Sequence, residues 1–120
     1  MKKIILVCTG NTCRSPMAEA LLKEMLEGRG LEDEIMVSSA GIYAFEGDEA
    51  SPQAIDVMKN EYGIDLTRHR ARVLYDSDIE KASLILVMTK HHKEMIADIY
   101  PEAVSKVHLL KEYAGLVKDT

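Results

Sequence analysis

The most constraining feature of this chain is the run Val7-Cys8-Thr9-Gly10-Asn11-Thr12-Cys13-Arg14-Ser15-Pro16, which continues the apolar segment Ile4-Ile5-Leu6-Val7. Such a short, β-branched run predicts a buried strand, about residues 2–7. Pro16 fits the first position of a helix, with Ser15 as its N-cap. The residues between them must then join the C-terminal end of a strand to the N-terminal end of a helix. In an α/β sheet this junction attracts anions, because helix-end N–H groups are unpaired and the helix dipole favours negative charge.

A cysteine opens this loop and an arginine closes it six residues later. Helix N-termini and nearby cations favour the thiolate, which is the nucleophilic form of cysteine. Backbone amides of Thr9, Gly10, Asn11, Thr12, Cys13 and Arg14, folded into a nest around Cys8, would stabilise that thiolate and hold phosphoryl oxygens. Arg14 adds a planar, bidentate fork. Gly10 allows a positive φ, and Asn11 tolerates the left-handed region better than most residues. The hydroxyl of Ser15 could donate to the sulfur. A nucleophile then faces an oxyanion trap. Nucleotide-binding loops are disfavoured, since neither G-x-x-x-x-G-K-[ST] nor a G-x-G-x-x-G after a strand occurs. Cys13 reads equally well as a small buried hydrophobe.

Cys8 through Pro16 resembles the signature of the low-molecular-weight protein tyrosine phosphatase family, a Cys-x5-Arg loop followed by Ser-Pro. With Thr at position 12, the run most resembles the bacterial protein arginine phosphatase branch. Ser38-Ser39-Ala40-Gly41, His69-Arg70-Ala71-Arg72, Leu86-Val87-Met88-Thr89 and Leu110-Lys111-Glu112-Tyr113 agree with it, so the resemblance covers nearly the whole chain. It implies Cys8 and Arg14 as catalytic residues and the loop as the phosphate site. Ser15, Ser39 and His69 are implied as its support, in one network with Asn11. Thr12 is implied as a specificity residue, because tyrosine-specific relatives tend to carry an aliphatic side chain there. Tyr43 is implied as an aromatic rim residue, with simple packing as the alternative.

The remaining chain predicts an α/β, doubly wound three-layer fold with a four-stranded parallel sheet. Helix one runs from Ser15 to about Glu27, ended by Gly28 and Gly30. Ile35–Ser39 forms strand two, followed by a variable rim segment at 43–50. Ser51 and Pro52 open a helix to about Tyr62, stopped by Gly63. His69–Arg72 sits in a turn, its arginines read as a solvated basic face. A short helix starts at Asp76-Ser77, and Leu84–Met88 is a fully apolar buried strand. Thr89 caps a helix to about Tyr100, stopped by Pro101, and Val107–Leu110 is the last strand. His91 and His92 cannot share a metal, because adjacent helical residues point apart.

At 120 residues the chain forms a single domain. A net charge of −5 argues against nucleic acid, and no apolar run reaches the length of a membrane span. Two cysteines five apart suit neither a disulfide framework nor a zinc site. The chain reads as cytoplasmic, and the resemblance implies a phosphatase needing no cofactor or metal, acting on phosphorylated proteins and releasing inorganic phosphate. Family members carry an Asp-Pro general acid beyond the Leu-Lys-Glu-Tyr stretch. The prolines here are Pro16, Pro52 and Pro101, none of them after Asp. Asp119 has nothing after it to position its side chain, so the acid loop and last helix are expected outside these 120 residues. Tyrosine phosphatase is the alternative activity. Arsenate reductase would need resolving cysteines, and 70–100 contains none. A phosphoresidue-binding module is the non-enzymatic alternative.

Overall fold

In the computed structural model, which describes residues 2–112, the first apolar run becomes the strand β1 (Lys2–Cys8). The chain continues through α1 (Arg14–Gly28), β2 (Ile35–Gly41), α2 (Pro52–Tyr62) and α3 (Asp76–Lys81). It closes with β3 (Leu84–Val87), α4 (Lys90–Ile99), a 3-10 helix (Pro101–Lys106) and β4 (Val107–Leu109). All four strands pair in parallel, in the order β2-β1-β3-β4. The doubly wound three-layer architecture expected from the sequence is present.

Period-two alternation distributes the apolar side chains of β1 between the two faces. Ile5 and Val7 pack with Ile85, Val87, Ile79 of α3 and Ile96 of α4. Leu6 packs on the opposite face with Val37, Leu86 and Leu26 of α1. A third cluster, Ala54, Met58 and Leu66 with Cys13, Met17 and Leu21, seats α2 against α1. Burial on both faces explains why these strands read as continuous apolar runs.

The strand order also places the site. From β1 the chain passes to β2 on one side and later returns to β3 on the other, so the loops after β1 and β3 part at the C-terminal edge. Crevices at such switch points are where open α/β sheets bind ligands.

Local signals account for most helix ends. Ser51 accepts the backbone N–H of Ala54 at 3.2 Å, Pro52 follows it, and Gly63 closes α2 in the left-handed conformation. Gly30, at φ 69°, ends α1: its N–H bonds Glu27 O at 3.1 Å while that of Leu31 bonds Leu26 O at 2.9 Å. The start of α1 differs from expectation. The helix begins at Arg14, so Ser15 lies inside the first turn and caps nothing. Pro16 is the third helical residue, whose N–H would have no partner in the helix, so proline is tolerated there. Strands β3 and β4 each end one residue early, at Val87 and Leu109. Pro101 stops α4 as expected and then opens the 3-10 helix, which a hydrophobic period of 3.6 does not reveal. No helix among the described residues is long and apolar enough to cross a membrane. Tyr113 and Asp119 lie outside the described residues.

Candidate active site

Cys8 is the last residue of β1 and pairs in register with Gly41 of β2. Neighbouring backbone clamps the loop beyond it. The carbonyls of Cys8 and Thr9 each accept an N–H at 3.0 Å, from Ile42 and Tyr43, and Thr12 O accepts that of Ser51 at 2.7 Å. A glycine is needed at position 41 because the loop runs directly over it. A Cβ there would stand 2.6 Å from Thr9 O and 3.0 Å from Asn11 N.

The turn itself is made by Asn11, at φ 56°, and not by Gly10, whose φ is not positive. Asn11 is fully buried, and four groups hold it in this uncommon conformation. His69 Nε2 donates to its carbonyl at 2.7 Å, and the Arg72 backbone N–H donates to its Oδ1 at 2.9 Å. Its Nδ2 donates to Ser15 Oγ at 2.9 Å and to Ser39 Oγ at 2.8 Å.

These bonds have a direction. A backbone N–H can only donate, so Arg72 fixes the Asn11 amide with its oxygen toward residue 72 and its NH2 toward both serines. Each serine oxygen accepts from Asn11 and has one proton left to give. Ser39 gives its proton to Glu19 Oε1, and Lys23 holds the other Glu19 oxygen at 2.6 Å. Ser15 Oγ lies 2.8 Å from Cys8 Sγ and, while accepting from Asn11, is placed to give its proton to the sulfur. The Asn11 backbone N–H adds a second donor to the sulfur, at 3.2 Å. The Ser15 hydroxyl and the Asn11 N–H thus converge on the sulfur.

Arg14 opens α1, is exposed, and forms no ion pair among the described residues. The hydroxyl of Thr12 is half-exposed and makes no hydrogen bond among them. Tyr43 and Phe45 stand 65% and 77% exposed on the segment after β2. No cluster of His, Cys, Asp and Glu among the described residues is arranged to hold a metal.

This loop, clamped at a strand end, with a buried cysteine sulfur at its start and an exposed arginine at its close, has known counterparts. Residues 3–119 match the model of the low molecular weight phosphotyrosine protein phosphatase family. The chain belongs to that family. Over 114 residues it is 46% identical to a protein-arginine-phosphatase of Geobacillus stearothermophilus, covering 94% of this chain and 72% of that protein. It is 44% identical over 112 residues to EpsP of Ralstonia nicotianae, named a probable low molecular weight protein-tyrosine-phosphatase, covering 93% and 72%. Among solved structures it superimposes with a TM-score of 0.86, at 44% identity and covering 92% and 70%, on the YwlE arginine phosphatase, a cysteine-to-serine mutant with a phosphorylated active-site serine. The fold, family and enzyme class expected from the sequence are therefore those of this chain: a low molecular weight protein phosphatase.

Within this phosphatase the structure brings Cys8, Asn11, Ser15, Ser39 and His69 into one hydrogen-bonded group. Cys13 turns away into the cluster between α1 and α2. Three participants were not foreseen. Arg72, expected on a solvated face, instead donates to Ser39 O at 2.9 Å and to Asp78 Oδ1 at 2.7 Å. Glu19 ends the serine chain; its sequence signal is the i, i+4 spacing from Ser15, which puts both on one helix face. His92 is 2% exposed, and its Nε2 lies 2.8 Å from Thr9 Oγ1. Its sequence signal is the i, i+4 spacing from the buried Ile96.

Proposed function

We propose that this phosphatase removes phosphoryl groups from phosphoarginine side chains of cytoplasmic proteins through a cysteinyl-phosphate intermediate on Cys8. The observation that carries the covalent route is the convergence of the Ser15 hydroxyl and the Asn11 N–H on Cys8 Sγ, in a loop closed by Arg14, which forms no ion pair among the described residues. The thiolate attacks phosphorus in line, the P–N bond breaks, and the departing guanidine nitrogen takes up a proton. Arg14 and the loop amides stabilise the equatorial oxygens through this step. Water then attacks the same phosphorus, the S–P bond breaks with the thiolate as leaving group, and inorganic phosphate is released. Ser15, placed to donate to the thiolate, stabilises the sulfur charge at both ends of the cycle.

The preference for phosphoarginine rests on Thr12. Its unengaged hydroxyl lines the loop, where an aliphatic side chain would desolvate a polar guanidinium without compensation. The named activity of the Geobacillus relative supports the same reading. Tyrosine phosphatase activity is the second reading, favoured by the exposed aromatics Tyr43 and Phe45. The test is kcat/KM for phosphoarginine and phosphotyrosine in the wild type and in Thr12→Ile. The wild type is expected to favour phosphoarginine, and the substitution to shift the ratio toward phosphotyrosine. An unchanged ratio removes Thr12 as the determinant and leaves the tyrosine reading.

A further inference from the structure

His92 stands beside the phosphate-binding loop without belonging to it. Strand β3 runs parallel to β1, with Val87 opposite Val7, so the turn into α4 opens next to the turn into α1. Thr89 caps α4 by accepting the His92 backbone N–H at 3.2 Å, which fixes His92 in the first helical turn. The imidazole is enclosed, with Nε2 at 2.8 Å from Thr9 Oγ1 and with Nδ1 buried and without a hydrogen-bond partner among the described residues.

Enclosure decides where the ring proton sits. With the proton on Nδ1, a buried N–H would have nothing to donate to, and Thr9 would have to spend its own proton on Nε2. With the proton on Nε2, the ring donates to Thr9 and leaves at Nδ1 only a bare lone pair, the less costly orphan. An imidazolium would combine the orphan N–H with a buried charge close to Arg14; burial first, and then that guanidinium, hold the His92 pKa below its ordinary value. The neutral Nε2–H form is therefore the one that fits. Thr9 Oγ1 then accepts from His92 and keeps its own proton, and Thr9 itself is exposed immediately after Cys8.

We propose that His92 is a positioning residue: it holds the Thr9 hydroxyl as a hydrogen-bond donor for an oxygen of phosphate bound in the loop. This inference rests on the phosphate-binding reading of the loop. It adds to that reading a side-chain donor, Thr9, oriented by a residue of the first turn of α4, 83 residues away in sequence. His92 touches no reacting atom and acts through Thr9.

The experiment measures the dissociation constant of inorganic phosphate by calorimetry in the wild type, Thr9→Val, His92→Phe, His92→Gln and the double variant Thr9→Val/His92→Phe. Each of Thr9→Val and His92→Phe is expected to weaken binding, Thr9→Val by about ten- to a hundredfold, the worth of one hydrogen bond to an anion. The double variant should be no weaker than Thr9→Val alone, because the two residues act as a unit. His92→Gln retains a side-chain N–H and should restore most of the affinity. Losses that multiply in the double variant, or a loss in Thr9→Val that His92→Phe does not share, overturn the proposal.

Should His92→Phe fail to fold, nitrogen NMR of labelled wild-type protein decides the matter by itself. Hydrogen on Nε2 and a bare Nδ1 are expected at neutral pH, and the opposite tautomer or an imidazolium overturns the proposal. A protein that shows this pattern yet dephosphorylates neither phosphoarginine nor phosphotyrosine sinks the proposed activity alone. Turnover with phosphate affinity indifferent to both residues sinks the His92 inference alone.

Discussion

Gly41→Ala should damage the loop without touching any residue that meets substrate. The added methyl would lie 2.6 Å from Thr9 O, 2.8 Å from Ala44 Cβ and 3.0 Å from Asn11 N. Two of these neighbours are backbone atoms, so no rotamer change relieves the clash. The φ of Gly41 is not positive, so the whole cost is steric. Overpacking of this kind costs about 1–3 kcal/mol. Relief requires Thr9–Asn11 to move by a good fraction of an ångström, and misplacing a reacting geometry by about 1 Å costs on the order of 100-fold in rate. Urea denaturation and turnover of an aryl phosphate, measured on the same preparation, read the two effects. Gly28→Ala is the control: nothing lies within 4 Å of its added methyl, and a helical Gly-to-Ala exchange adds stability of up to about 1 kcal/mol. Gly41→Ala with wild-type stability and wild-type turnover would refute the close approach that we assign to this position.

Arg14→Lys should lower kcat/KM by about 100-fold or more, since a point charge replaces a bidentate fork at the transition state; near-normal kinetics would exclude Arg14 from that role. Arg72→Met keeps the backbone N–H to Asn11 but removes the bonds to Ser39 and Asp78, and should cost about 1–3 kcal/mol in urea unfolding. The lowered pKa of His92 has a defined sign. Between the folded value and the ordinary 6.5, the unfolded chain takes up a proton that the folded chain refuses. Stability from neutral His92 is thus fully present above 6.5 and declines as pH falls toward the folded value. Between about pH 7.5 and about pH 5.5 the wild type should lose more stability than His92→Gln, and equal losses would contradict the shift.

What the sequence made legible were features set by near neighbours or by simple periodicity. The Ser51-Pro52 start and Gly63 stop of α2 are local, and so they read correctly. The two-sided apolar strands fixed the sheet as parallel and buried. The beginning of α1 misread because Ser15, locally a good cap, has its hydroxyl claimed by Cys8 and its oxygen by Asn11. Gly10 and Asn11 both offered the left-handed conformation, and the loop assigns it to Asn11, whose side chain is needed at the same point by Arg72, Ser15 and Ser39. Arg72 looked solvated because its partners, Ser39 and Asp78, lie on elements that periodicity does not bring together. His92 was beyond reach for the same reason, its partner Thr9 being at the other end of the described chain.

The central claim is that phosphate passes through the sulfur of Cys8. Rapid quenching of the enzyme during turnover of phosphoarginine or an aryl phosphate, followed by peptide mapping under conditions that preserve S–P bonds, tests it most directly. The account predicts a phosphoryl group on the peptide containing Cys8, attached at Cys8, and its replacement by a stable phosphoserine together with loss of turnover in Cys8→Ser. Phosphate released at full rate by Cys8→Ser, or a phosphoryl group trapped on any other residue, would contradict it.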